Sequence, residues 1–129
     1  MKKRLQIILV SSLCLLFLSC YYDQIVEEEI PDIPIDQPIS FGDDILPLFS
    51  IDGRDCTTCH DGRIANPDLT EGNAYNAIVP EYVILGDGEN SEFFKNLPGN
   101  EHPVEAGFSL TTDEIALIKG WIDRGAENN

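Results

Sequence analysis

The run Cys56-Thr57-Thr58-Cys59-His60 constrains this chain more than any other stretch of its 129 residues. Two thiols three positions apart project from one helical turn, and the imidazole that follows lies beside them. Three chemistries use this pattern. Both thiols can add to the vinyl groups of a haem while the His60 imidazole faces the iron, which is the c-type attachment motif. A C-x-x-C pair can also work as a redox dithiol, but that chemistry sits on a βαβ scaffold, and no such pattern is present. A tetrahedral zinc site needs four ligands, which only Cys56, Cys59, His60 and His102 could supply. Covalent haem, attached outside the cytoplasm, is the expectation. A bare vicinal thiol pair in an exported domain would tend to oxidise.

Export is read from the N-terminus. "MKKRLQIILVSSLCLLFLSC" places Lys2, Lys3 and Arg4 ahead of an apolar run, the layout of a signal peptide over residues 1–19. Phe17-Leu18-Ser19-Cys20 resembles a bacterial lipobox, with Phe17 where Leu is usual, and marks Cys20 for lipidation. An ordinary secreted protein with an incidental Cys20 is the alternative. Several acyl chains on one cysteine provide the multiple anchors that stable membrane attachment requires. Loss of the leader removes three of the eight basic residues and Cys14. Five basic residues then stand against 23 acidic ones, a formal charge of −18. Such a surface disfavours nucleic acid and suits partners with a basic face. Only Cys56 and Cys59 would remain as thiols, so no disulfide framework is available beyond that one pair.

Residues 20–40 carry the lipidated cysteine and an acidic, proline-rich tether: Glu27, Glu28 and Glu29 with Pro31, Pro34 and Pro38 favour a semi-extended chain. A weaker reading takes the acidic cluster as a surface-export signal. Residues 41–129 form the globular domain. "FGDDILPLFS" predicts a helix that Pro47 shortens or breaks, "LTEGNAYNAIV" and "NSEFFKNL" predict two more short helices, and "GDGEN" a turn. In "TTDEIALIKGWIDRGAENN", Thr111 and Glu114 make a capping box. Ile115, Leu117, Ile118, Trp121 and Ile122 form an apolar stripe, and Gly125 is a natural stop. The fold class is therefore all-α, in short helices joined by long loops. About 90 residues so rich in Gly, Pro, Asn and Asp bury a marginal core, which a large cofactor would complete.

"DILPLFSIDGRDCTTCHDG", "LTEGNAYNAIV", "ILGDGENSEFFKNLPG" and "LTTDEIALIKGWIDRGAENN" occur in an order that resembles the small single-haem domain known as planctomycete-type cytochrome C. The resemblance runs from about Phe41 to Asn129. It implies a class I cytochrome c-like fold, with N- and C-terminal helices crossing over one haem c, Trp121 and the Ile stripe packed on Ile45, Leu46 and Phe49, and His60 as proximal ligand. The other ring nitrogen of His60 needs an acceptor, expected among the backbone carbonyls of "RIANPD".

The family's sixth iron ligand is usually a Met just before the last helix. Here "NEHPVEAGFSL" has Val104 at that place, and the only methionine is Met1. His102 is the candidate distal ligand. Lys95 and Lys119 are remoter ones, and Val104 could instead be an apolar lid over an open iron site. His/His ligation would lower the reduction potential relative to Met/His, because a thioether favours ferrous iron.

The function expected is a membrane-tethered c-type cytochrome passing single electrons in the periplasm or at the outer cell surface, to a redox protein with a basic docking face. No nucleophile with an acid/base pair, no P-loop and no glycine fingerprint indicates an enzyme. Two alternatives remain open: a haem-bearing accessory or sensor lipoprotein with an open sixth site, in a surface degradative complex, or a domain with a purely structural role.

Overall fold

The computed structural model describes Lys3 and residues 29–129. The expectations for the leader 1–19, for Cys14 and for lipidation at Cys20 lie outside the described residues.

The body begins with Ser40. Its hydroxyl accepts from the Asp43 N–H at 3.2 Å while its own N–H donates to Asp44 at 2.8 Å, a reciprocal cap that starts a helical turn. That turn, Phe41–Ile45, is wide and closes with the Leu46 N–H on the Phe41 carbonyl. Pro47 has no N–H to continue the ladder, so the chain tightens into a 3₁₀ turn over Leu46–Phe49. Phe41, Ile45 and Phe49 all point inward.

A minimal hairpin follows: β1 (Ser50–Ile51) pairs antiparallel with β2 (Arg54–Asp55) across an Asp52-Gly53 turn. Gly53 has φ 77°, which Gly adopts at no steric cost. Beyond the hairpin, the described residues form the α-helices α1 (Ala74–Ile78), α2 (Glu92–Lys95) and α3 (Thr112–Asp123).

Helix α3 organises the rest. Its capping box is complete, since the Glu114 N–H donates to the Thr111 hydroxyl at 3.3 Å and the Thr111 N–H donates to the Glu114 carboxylate at 2.8 Å. At its other end the Gly125 N–H donates to the Ile122 carbonyl and the Ala126 N–H to the Trp121 carbonyl, both at 2.9 Å. This is a Schellman closure, with Gly125 at φ 100° and Ala126 fully buried. Ile115, Ile118, Trp121 and Ile122 face the core. Trp121 meets Phe41 at a centroid distance of 5.2 Å, and Phe41 meets Tyr75 edge-on at 5.3 Å. The residues after α3 turn back over this cluster. Asn129 accepts from the Phe41 N–H through its side chain and from the Gly42 N–H through its carbonyl, each at 2.9 Å.

The loop from Ile84 to Ser91 is secured from inside. Ser91 is fully buried; its hydroxyl accepts from the Ile84 N–H and donates to the Asp87 carbonyl, each at 2.8 Å. Gly88 presses directly on α3, donating its N–H to the Asp123 carboxylate at 2.6 Å.

The chain joins the body before Phe41. Arg124 donates to the carbonyls of Gln37 at 2.7 Å, Pro34 at 2.9 Å and Ile33 at 3.2 Å. Ile39 is buried and Ile33 packs against the core. Both isoleucines lie over Gly120, where a β-carbon would stand 3.0 Å from Ile39 Cδ1, so a glycine inside α3 makes room for the docked segment.

Candidate haem site

The turn carrying the two cysteines is set by its flanks. The Asp55 carboxylate accepts from the Thr57 N–H at 2.9 Å and from the Thr57 hydroxyl at 2.6 Å, capping a 3₁₀ turn over Cys56–Thr58. The Cys59 and His60 N–H groups then both donate to the Cys56 carbonyl, at 3.2 and 2.9 Å. Cys56, Cys59 and His60 thus occupy one turn.

Arg54 fastens this turn to the core. Its guanidinium grips the Glu114 carboxylate with two bonds, of 2.6 and 2.8 Å, so the hairpin leading into Cys56 is tied to the N-terminus of α3. The Arg54 fork, helped by the Thr111 N–H, holds the Glu114 carboxyl down at about 2. A carboxylate lowered in this way adds stability that is complete above its ordinary value of 4.5 and is lost as pH falls from there through about 2. Wild type is therefore expected to lose more stability than Glu114→Gln over that interval, measured as denaturant midpoints at stepped pH. Parallel curves for the two proteins would remove the ion pair from the account.

Both cysteines are free thiols, Cys56 half-buried against the core and Cys59 exposed. Burial pushes the Cys56 thiol up, and the Asp55 carboxylate pushes the same way. A redox dithiol needs a thiol shifted downward to supply thiolate. The environment of Cys56 does the opposite and keeps the sulfur protonated.

His60 is half-buried, and its Nδ1 lies 3.0 Å from the Pro67 carbonyl oxygen. A carbonyl only accepts, so Nδ1 carries a proton and donates, and the ring is oriented through that nitrogen. The loop that brings Pro67 back is closed by the Ala65 N–H on the Cys59 carbonyl at 3.0 Å and the Leu69 N–H on the His60 carbonyl at 2.9 Å. Gly62 is part of this closure. At φ 76°, and with a β-carbon position 2.8 Å from the Asp68 carboxylate, a side chain there would be strained and would displace Asp68.

The second histidine lies across from the first. The ring centroids of His60 and His102 are 6.2 Å apart, with planes at 80°. The His102 loop is closed by the Leu110 N–H on the Pro98 carbonyl and anchored to α2 by the Glu101 N–H on the Lys95 carbonyl, each at 2.9 Å. Val104 is 67% exposed, and its carbonyl lies 2.6 Å from His102 Nδ1. Lys119 is engaged with Asp123 at 2.7 Å, and Lys95 is exposed.

Among the described residues no three His, Cys, Asp or Glu side chains come together to hold a metal ion. Haem asks for less from the protein: two thiols free to form thioethers and one imidazole nitrogen for the iron. Cys56 and Cys59 as free thiols in one turn, followed by a ring held through Nδ1, meet that requirement.

The Pro67 carbonyl, the Asp55 cap and the Arg54 tie were not individually visible as site residues. Only the Asx-type pattern Asp55-x-Thr57 carried a local signal for any of them. No protein-family model, no curated protein and no solved structure matches this chain.

Proposed function

We propose that the chain is a c-type cytochrome of class I-like fold that carries single electrons on one covalently bound haem c. Cys56 and Cys59 are its attachment points and His60 its proximal ligand. The observation that carries this reading is the His60 ring, oriented by the Pro67 carbonyl and displayed from the same turn as two free thiols. An imidazole whose far nitrogen donates to a backbone carbonyl is fixed in tautomer and direction, the usual arrangement behind a metal-bound histidine.

When bound, the haem supplies the one-electron chemistry. The protein's share is ligand choice, orientation and burial. We further propose export, lipidation at Cys20 and membrane tethering through the residues ahead of Ile33, where the chain docks on α3, with the body facing the periplasm or the outer surface. The acidic surface suits a redox partner with a basic face, so exchange with such a partner should slow as salt rises.

The full chain produced with haem-maturation machinery, run on a denaturing gel and stained for haem, tests the assignment. Wild type should keep its haem through denaturation and Cys56→Ala/Cys59→Ala should lose it entirely. Haem that survives the gel in the double variant would refute the attachment.

A further inference from the structure

Resting on the haem reading above, we infer that His102 is the second axial ligand, so that the iron is held between two imidazoles and has no open site. Three observations converge on it. First, imidazole nitrogens bind first-row metal ions at about 2.0–2.1 Å, so two rings on opposite sides of one ion, once the nitrogen-to-centre distance of each is added, have centroids on the order of 6 Å apart. His60 and His102 stand at 6.2 Å. Their planes, at 80°, do not oppose this, because rotation of either ring about a shared axis leaves the separation unchanged.

Second, both rings are oriented by the same device. His60 Nδ1 sits on the Pro67 carbonyl and His102 Nδ1 on the Val104 carbonyl, at 3.0 and 2.6 Å. Each ring is thereby engaged through Nδ1, and Nε2 of neither makes a hydrogen bond among the described residues, which leaves that nitrogen for a metal. Distance alone would also suit two rings packed edge to face. Packing does not require that each ring be held by its Nδ1.

Third, the backbone of His102 is fixed in advance. Glu101, its neighbour, is bonded to Lys95 at the end of α2, and the loop's base is closed between Pro98 and Leu110. Val104, which stands where the resembled family places methionine, contributes a backbone carbonyl and turns its own side chain outward.

The test uses the full chain, matured with haem, and reads spin state and ligand binding. Haem retention on a denaturing gel is scored first, so that failure of the attachment is told apart from failure of this ligand; wild type without covalent haem overturns both. With haem in place, ferric wild type should be low-spin and its ferrous form should not take up carbon monoxide. His102→Ala should lose the low-spin spectrum, bind carbon monoxide and recover the low-spin form on addition of imidazole. His102→Met should be low-spin with a raised reduction potential, while Lys95→Ala and Lys119→Ala should match wild type. A high-spin wild type, or a His102→Ala variant that stays low-spin without added imidazole, would overturn the assignment. His102→Gln, which keeps a polar side chain on the loop, should repeat the alanine result.

Discussion

Replacing Trp121 with alanine is expected to destabilise the protein by about 3–5 kcal/mol. Roughly 5–15 kcal/mol is all that a domain usually has, so a large share would go at once. Trp121 is 1% exposed and joins the two ends of the body. Its ring packs on Phe41 and Tyr75, and its indole N–H donates to the Glu127 carbonyl at 2.9 Å. Truncation removes the largest buried side chain and leaves the C-terminal segment without one of its bonds. The loss should appear as a lower guanidinium midpoint with an unchanged slope. Trp121→Phe should recover much of the packing but not the hydrogen bond. A midpoint for the alanine variant within about 1 kcal/mol of wild type would show that this cluster is not the centre of the core.

Gly88→Val is expected to cost about 2–5 kcal/mol, combining overpacking with a lost hydrogen bond to a carboxylate. A β-carbon at Gly88 would stand 2.9 Å from the Asp123 carboxylate and 3.1 Å from the Lys119 backbone carbonyl. The carboxylate could swing away only by giving up the Gly88 N–H, and the helix carbonyl cannot move aside alone. Gly86 is the control. It has φ 83° and open space around it, so Gly86→Ala carries backbone strain alone, about 1–2 kcal/mol. Thermal unfolding of the two variants should separate them in that order. Equal losses would mean that conformation, not the contact with α3, governs this loop.

The residues show how far sequence reasoning reaches. Thr111, Glu114 and Gly125 announced both ends of α3, because caps are local and their partners lie within one turn. Pro47 announced a break for the same reason: a missing N–H acts on its own helix. Arg54 could not be seen as the second partner of Glu114. Sixty positions separate them, and only the hairpin and the packing of α3 bring them together. The need of His60 for an acceptor between Arg63 and Asp68 follows from imidazole chemistry, whereas the choice of the Pro67 carbonyl depends on how Ala65 and Leu69 close the loop. Ile33 and Ile39 were obscured by the acidic, proline-rich composition around them. Their burial depends on Gly120, a residue whose value lies in having no side chain.

The docking of residues 33–39 also sets a polarity. Arg124 and Gly120 receive that segment near the C-terminal end of α3, while Arg54 ties the cysteine turn to Glu114 at the N-terminal end. Six to ten positions separate these fastenings along α3, an axial offset of about 9–15 Å. From Cys20 to Ile33 the backbone can span at most about 43–47 Å. A lipid on Cys20, as proposed, would therefore hold the body from the C-terminal end of α3, with the cysteine turn fastened at the other end.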